Sequence, residues 1–323
     1  MNSPKALLQR FLPAIGAALL LAAAFLPYKA KKQRLRVAPG VWPAAEPVLL
    51  ASDMQLLPES RFQVIEIPWS SAVVRAFGSG AADVAVVTLE SVMRMQDAGQ
   101  RLQVLMVLSQ SAGGDALLAR PGIARLEDLK GKRVGVERSA GTYLLINALE
   151  SVGMGVKDIE AVPMFQSEME AALQSDQVDA VVATDPWLAK LSNNSLRSLY
   201  DSSQLRVPII YLLVASERAC VTSREELISL LRVQAGISAK LWAGTPFPAV
   251  DGLLRREKMT VSELAACLRH LRPLSQVESR EVLTKLPQMA LKVGEQMKRN
   301  GIITSFRADD NWINASFSEE AFR

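Results

Sequence analysis

The chain has 323 residues, 49% hydrophobic and 22% charged, a balance that excludes wholesale disorder and a length that suits two lobes better than one core. Its net charge of +4 hides an uneven distribution. Seven of the 37 Lys and Arg residues precede the first acidic residue, Glu46, and the rest of the chain sets 30 basic groups against 33 acidic ones, which argues against nucleic acid as a partner.

Lys5 and Arg10 stand before an uncharged run from Phe11 to Tyr28, rich in Leu and Ala, which a basic cluster at Lys29 to Arg34 follows. Residues 1–34 therefore read as a secretory signal or membrane anchor. No cysteine follows the run, so a lipoprotein anchor is excluded. Export is expected, with the segment kept as a membrane anchor, although positive charge after a signal opposes export.

Leu35 to Ala38 is predicted as a strand, and Val41-Trp42-Pro43 turns into a helix that ends near Leu57. Phe62 to Ile67 alternates like a second strand, and Trp69 behind it is expected to pack on its own lobe. Ser70 to Gly78 is a helix closed by Gly78-Ser79-Gly80. Asp83 to Val87 is a buried strand feeding a helix from Thr88 to Ala98, and Leu102 to Leu108 is the next strand. This β-α-β-α-β-α-β order predicts a parallel, doubly wound sheet.

After Ser109 to Gly114 the pattern restarts, with strands at Asp115–Ala119, Arg133–Val136, Ile159–Pro163 and Asp179–Ala183. Helices fall between them at Thr142–Val152 and Ser167–Ser175, so this set forms a small sheet of its own. Between Arg133–Val136 and the helix lies the loop Ser139-Ala140-Gly141-Thr142, which presents backbone N–H groups and a positive helix end. Ile209 to Ala215 is a late strand, and helices follow near Ser223–Ala243, Pro246–Glu257, Val261–His270 and Ser275–Arg299. One late strand followed by helices means that the chain crosses back. The expected lobes are 35–112 with 209–323, and 113–208, with hinges near 112–114 and 207–209 and a cleft at the carboxyl ends of both sheets.

A cleft that binds a small molecule needs aromatic walls and a few fixed polar groups. The first lobe offers Trp42 and Glu46, Thr88 and Glu90, and at the crossing Ser111, Gly113 and Asp115. The second offers Ser139, Gly141, Thr142 and Tyr143, then Thr184, Asp185 and Trp187. Glu46 and Glu90 also fit first helical turns without any ligand, and Asp185 before Pro186 fits an N-cap. If Glu46, Glu90, Asp115 and Asp185 face the cleft, these carboxylates, with no Arg at the strand ends, favour a ligand of amine or aminopyrimidine character over a bare sulfonate or nitrate.

The segments "FGSGAADVAVVTLESV", "SAGGDALLARPGI", "LEDLKGKRVGVE", "YLLINALESVG" and "DQVDAVVATDPW", in that order, resemble the substrate-binding proteins of bacterial ABC importers. The branch is that of nitrate, sulfonate, taurine and thiamine-precursor binding (NMT1/THI5-like and SsuA/TauA-type). The resemblance runs from about residue 35 to the end and is strongest from Phe77 to Trp187. It implies an α/β protein of the type II periplasmic-binding-protein fold, a monomer whose lobes close on a small organic solute and deliver it to an ABC permease. The chain departs from the family pattern at Ala51-Ser52-Asp53-Met54-Gln55 and at Ser109-Gln110-Ser111-Ala112-Gly113.

A membrane-anchored ligand sensor would use the same module. An enzyme finds less support: the single histidine, His270, is expected on a solvated helix face, and G-x-S-x-G and H-E-x-x-H are absent. Gly131-Lys132 lacks the first glycine of a phosphate loop, and a pyrimidine-biosynthesis enzyme of this fold would need a Cys-rich metal segment. Cys220 and Cys267 lack metal-ligand spacing and read as buried free thiols. No cofactor or metal is implied.

Overall fold

The computed structural model of the protein describes residues 33–191, 195–244, 249–307 and 309–323. The signal or anchor expected over residues 1–34 falls almost wholly outside the described residues, among which no helix is long and apolar enough to cross a membrane. Residues 34–323 form one compact unit.

In chain order the elements are β1 (Leu35–Ala38), α1 (Glu46–Asp53), β2 (Phe62–Val64), α2 (Ser70–Gly78), β3 (Val84–Thr88), α3 (Leu89–Asp97), β4 (Leu102–Ser111), β5 (Asp115–Ala119), β6 (Arg133–Val136), α4 (Ala140–Glu150), β7 (Glu160–Pro163), α5 (Met169–Gln174), β8 (Ala180–Thr184), α6 (Trp187–Leu191), β9 (Arg197–Asp201), β10 (Ile210–Ser216), α7 (Glu217–Thr222), α8 (Arg224–Trp242), α9 (Val250–Glu257), α10 (Val261–His270), β11 (Leu271–Pro273), α11 (Gln276–Arg299) and α12 (Ser316–Ala321). They build two sheets, ordered β11-β4-β10-β3-β1-β2 and β7-β6-β8-β5-β9.

β1, β2 and β3 are parallel, as the βα alternation requires, and all five residues of β3 are buried, the mark of a strand covered on both faces. The sheet is nevertheless mixed, which corrects the all-parallel expectation. β10 returns from the second sheet and inserts antiparallel between β3 and β4, and β11 adds antiparallel to the far edge of β4. The second sheet has a parallel half, β7-β6-β8, and an antiparallel half in which β5 pairs with β8 and β9.

The period of two along the second sheet sorts its side chains. Leu117 and Ala119 join a core that is continuous with that of the first sheet, while Ala116 and Leu118 pack with Met169, Leu173 and Leu188 on the other face. Helix ends follow local chemistry. Thr260 with Glu263 and Ser275 with Glu278 make reciprocal capping boxes at the starts of α10 and α11.

Two segments join the sheets, and they lie side by side. The Ser111 N–H donates to the Ile209 carbonyl at 2.9 Å, and the Ser202 hydroxyl accepts from the Gly113 N–H at 2.8 Å. Gly113 has φ +102°, a backbone state that side chains rarely tolerate. Away from the crossings, α4 and α11 are bonded to each other: Gln296 and Asn300 each donate to Glu150, at 2.7 and 2.8 Å.

Candidate functional site

A solvent-open cavity lies where the carboxyl ends of the parallel strands of both sheets meet. The loop after β1 contributes Val41 and Trp42, the loop after β2 contributes Pro68 and Trp69, and the end of β3 contributes Thr88. Opposite them stand Glu137, Ser139 and Ala140 after β6, Gln166 after β7, and Thr184 to Trp187 after β8. Tyr211 in β10, paired across the ladder with Thr88, closes the floor.

Backbone geometry positions the aromatic walls. The Val41 N–H donates to the Ile67 carbonyl at 3.0 Å, holding the loops after β1 and β2 together. Gly40, at φ +84°, lies directly beneath the Trp42 indole: a Cβ there would stand 2.0 Å from the ring. Trp69 does not pack on its own lobe as expected. It is 39% exposed and faces Phe165, which follows β7 of the other sheet, with ring centroids 5.2 Å apart. Lys190 Nζ sits 4.3 Å over the Trp187 ring and donates to the Glu257 carbonyl at 3.1 Å, tying α6 to α9.

Of the residues singled out from the sequence, Trp42, Thr88, Ser139, Thr184, Asp185 and Trp187 line this cavity. Glu90 and Tyr143 line a smaller neighbouring cavity. The other carboxylates are engaged within the protein. Glu46 is buried and paired with Arg256 at 2.8 Å. Glu90 accepts from the Thr88 hydroxyl at 2.7 Å and from Arg94 at 2.9 Å. Asp115, fully buried, accepts from Ser111 at 2.5 Å and from Thr184 at 2.7 Å, and burial still pushes its carboxyl up to about 6. Gly113 belongs to the crossing, and Gly141 lets the first turn of α4 approach Val182 closely. Thr142 donates to the Glu137 carbonyl at 3.2 Å, and the Tyr143 hydroxyl donates to the Val207 carbonyl at 3.0 Å.

His270 overturns the solvated-face expectation. Its Nδ1 lies 2.8 Å from Asp185 Oδ2, and its carbonyl accepts from the Ala112 N–H at 2.7 Å. The cause is β11, which folds along β4 and draws the end of α10 to the crossing. The hydrogen bond to Asp185 raises the imidazole above its ordinary value, against a smaller opposing effect of burial.

Glu137, Gln166, Trp69 and Tyr211 are among the lining residues that sequence reasoning missed. The signal for Glu137 was present, since it is the first residue after β6, the position from which side chains enter the cleft. Its carboxyl is 5% exposed, and burial pushes it up to about 7, opposed by hydrogen bonds from the Ser71 N–H and Gln166. Three buried polar atoms of lining residues have no hydrogen-bond partner: Glu137 Oε1, Asp185 Oδ1 and Trp42 Nε1. Such atoms are costly to leave unmatched, and together they offer two acceptors and one donor. Among the described residues no group of three His, Cys, Asp or Glu side chains could hold a metal ion. Cys267 is buried, Cys220 is partly buried, and both are free thiols.

Comparison with known proteins bears on this geometry. A protein of Brucella abortus (strain 2308) is 30% identical over 91 residues, and that stretch spans 28% of this chain and only 28% of its own length. The taurine-binding periplasmic protein of Escherichia coli (strain K12) is 30% identical over 193 residues, 58% of this chain and 59% of its own. The alkanesulfonate-binding protein SsuA from Xanthomonas axonopodis pv. citri, bound to MOPS, superposes with a TM-score of 0.76 over 88% of this chain and 99% of its own, at 18% identity. The desulfurization enzyme DSZB superposes with a TM-score of 0.64 at 15% identity, over 90% of this chain and 98% of its own. The architecture is therefore the type II periplasmic-binding-protein fold, which binding proteins and an enzyme share. Residues 63–229, more than half of the chain, match the family described as NMT1/THI5 like, and the protein belongs to that family.

Proposed function

We propose that the protein is the extracytoplasmic solute-binding component of an ABC importer, which takes a small organic solute between its two sheets and presents it to a membrane permease. The observation that carries this reading is the cavity itself, walled by Trp42, Trp69 and Trp187 and lined from both sheets at their strand ends. Residues 35–112 and 209–323 act as one lobe and 113–208 as the other. A solute touching both lobes binds the closed form more tightly than the open one, so binding shifts the population toward closure, and the closed form is what a permease can read. The segments 112–114 and 207–209 serve as hinges.

The relatives support a binding role: one is named as taurine-binding and another structure as alkanesulfonate-binding. Small-angle scattering with and without solute, combined with mass spectrometry of solute carried through purification, tests the proposal. A bound small molecule and a radius of gyration that falls on its addition are expected. An unchanged radius under a saturating solute would remove the closure mechanism.

A further inference from the structure

Resting on that reading, we infer that the solute carries a protonated amine or amidine group that donates to Glu137 and Asp185, and that anions offering acceptors alone, such as simple alkanesulfonates, are rejected.

The argument starts from what the protein leaves unmatched. Glu137 and Asp185 are each about 95% buried, each lines the cavity, and each keeps one carboxylate oxygen without a partner. The residues stand at the ends of different strands, β6 and β8, and line the same cavity, so a solute that fills it meets both. A carboxylate is acceptor-only when ionised, and a buried one is best matched by a cation that also donates hydrogen bonds. A sulfonate brings three acceptor oxygens and no donor, so it meets repulsion from Asp185, and from Glu137 once that carboxyl has lost its proton, with the desolvation of the pair uncompensated.

The surroundings offset the charge of the pair only in part: His270, raised by its hydrogen bond to Asp185, sits 2.8 Å from that carboxylate. Glu137 faces Glu90, which disfavours its ionisation, and Arg75, which weakly favours it. Asp185 holds His270 through Oδ2, interacts with the Cys267 thiol and meets the like charge of Asp115, and its Oδ1 has no hydrogen-bond partner. Polar acceptors elsewhere on the same solute have two matches. Trp42 Nε1 is an unpaired buried donor, and the first turn of α4 starts at Ser139 with no side-chain cap bond.

A cationic solute must displace the proton that Glu137 holds near neutrality. Affinity should then weaken about tenfold for each pH unit below 7 and level off above it, with proton release on binding.

Calorimetry against matched pairs tests the inference: taurine against ethanesulfonate, and benzylamine and benzamidine against toluenesulfonate. The amine-bearing members should bind at least tenfold more tightly, with heats that depend on buffer ionisation. Glu137→Gln should flatten the pH dependence to the part that His270 contributes through Asp185, and thermal melting checks that it folds. The wild-type pH series needs no variant. Equal or tighter binding of ethanesulfonate, or amine affinity flat from pH 5.5 to 8, would overturn the inference and leave solute binding standing. Failure of every amine to bind would overturn it too. Only the absence of any carried solute together with an unchanged radius of gyration counts against the importer role itself.

Discussion

Two strand–loop–helix junctions meet across the cavity, and they treat their polar groups in opposite ways. At the end of β3, Thr88 caps α3 by accepting from the Ser91 N–H, and Glu90 in the first turn takes the Thr88 and Ser91 hydroxyls and Arg94. At the end of β6, Ser139 makes no cap bond, and Glu137 keeps an oxygen without a partner. The sequence motifs are alike, yet one junction is complete within the chain and the other is unfinished. A junction that satisfies its own backbone stabilises the fold, and one that does not holds donors and acceptors ready for something from outside.

The largest effect that can break this contrast is on the finished side. Thr88→Ala removes the cap and strips a donor from buried Glu90, and should destabilise by about 2–3 kcal/mol in urea unfolding. A loss under about 0.5 kcal/mol would mean that the network is ornamental. Next comes the unfinished side, with the opposite sign. A carboxyl raised from 4.5 to about 7 weakens the folded state as pH climbs through that window, with no effect below it and the full effect above. Glu137→Gln should therefore be stabilising by about 2–3 kcal/mol at pH 8 and neutral at pH 4, read from unfolding midpoints at both values. A destabilised variant at pH 8 would show that Glu137 is matched after all. Smallest is Ser139→Ala. With no cap bond to lose, it should shift stability by no more than about 0.5 kcal/mol, and a loss near 1 kcal/mol would reveal a cap at α4.

Legibility followed the range of the forces involved. β1, β5, β6, α2 and α10 occupy the predicted residues because turn glycines or capping boxes bracket them locally, as Gly78-Ser79-Gly80 and Thr260 with Glu263 do. β9 is largely exposed, so it lacks an apolar signature, and β11 is three residues at the end of a helical run, recognisable only by its pairing with β4. The same limit governed the site. That strand ends supply the lining was readable, and it placed Trp42, Thr88, Ser139, Asp185 and Trp187 at the cavity. That Glu46 would be taken by Arg256, 210 positions away, or Asp185 held by His270, 85 away, depends on tertiary packing that no local pattern encodes.

The Ser202 hydroxyl bonds to both Ser111 and Gly113 on the neighbouring crossing. Two straps fastened to one another bend readily but resist torsion. Were the halves to swing, they would do so about a single axle, and the three indoles would return to the same facing arrangement on every cycle. Recognition could then rely on fixed geometry in place of a fresh search at each encounter.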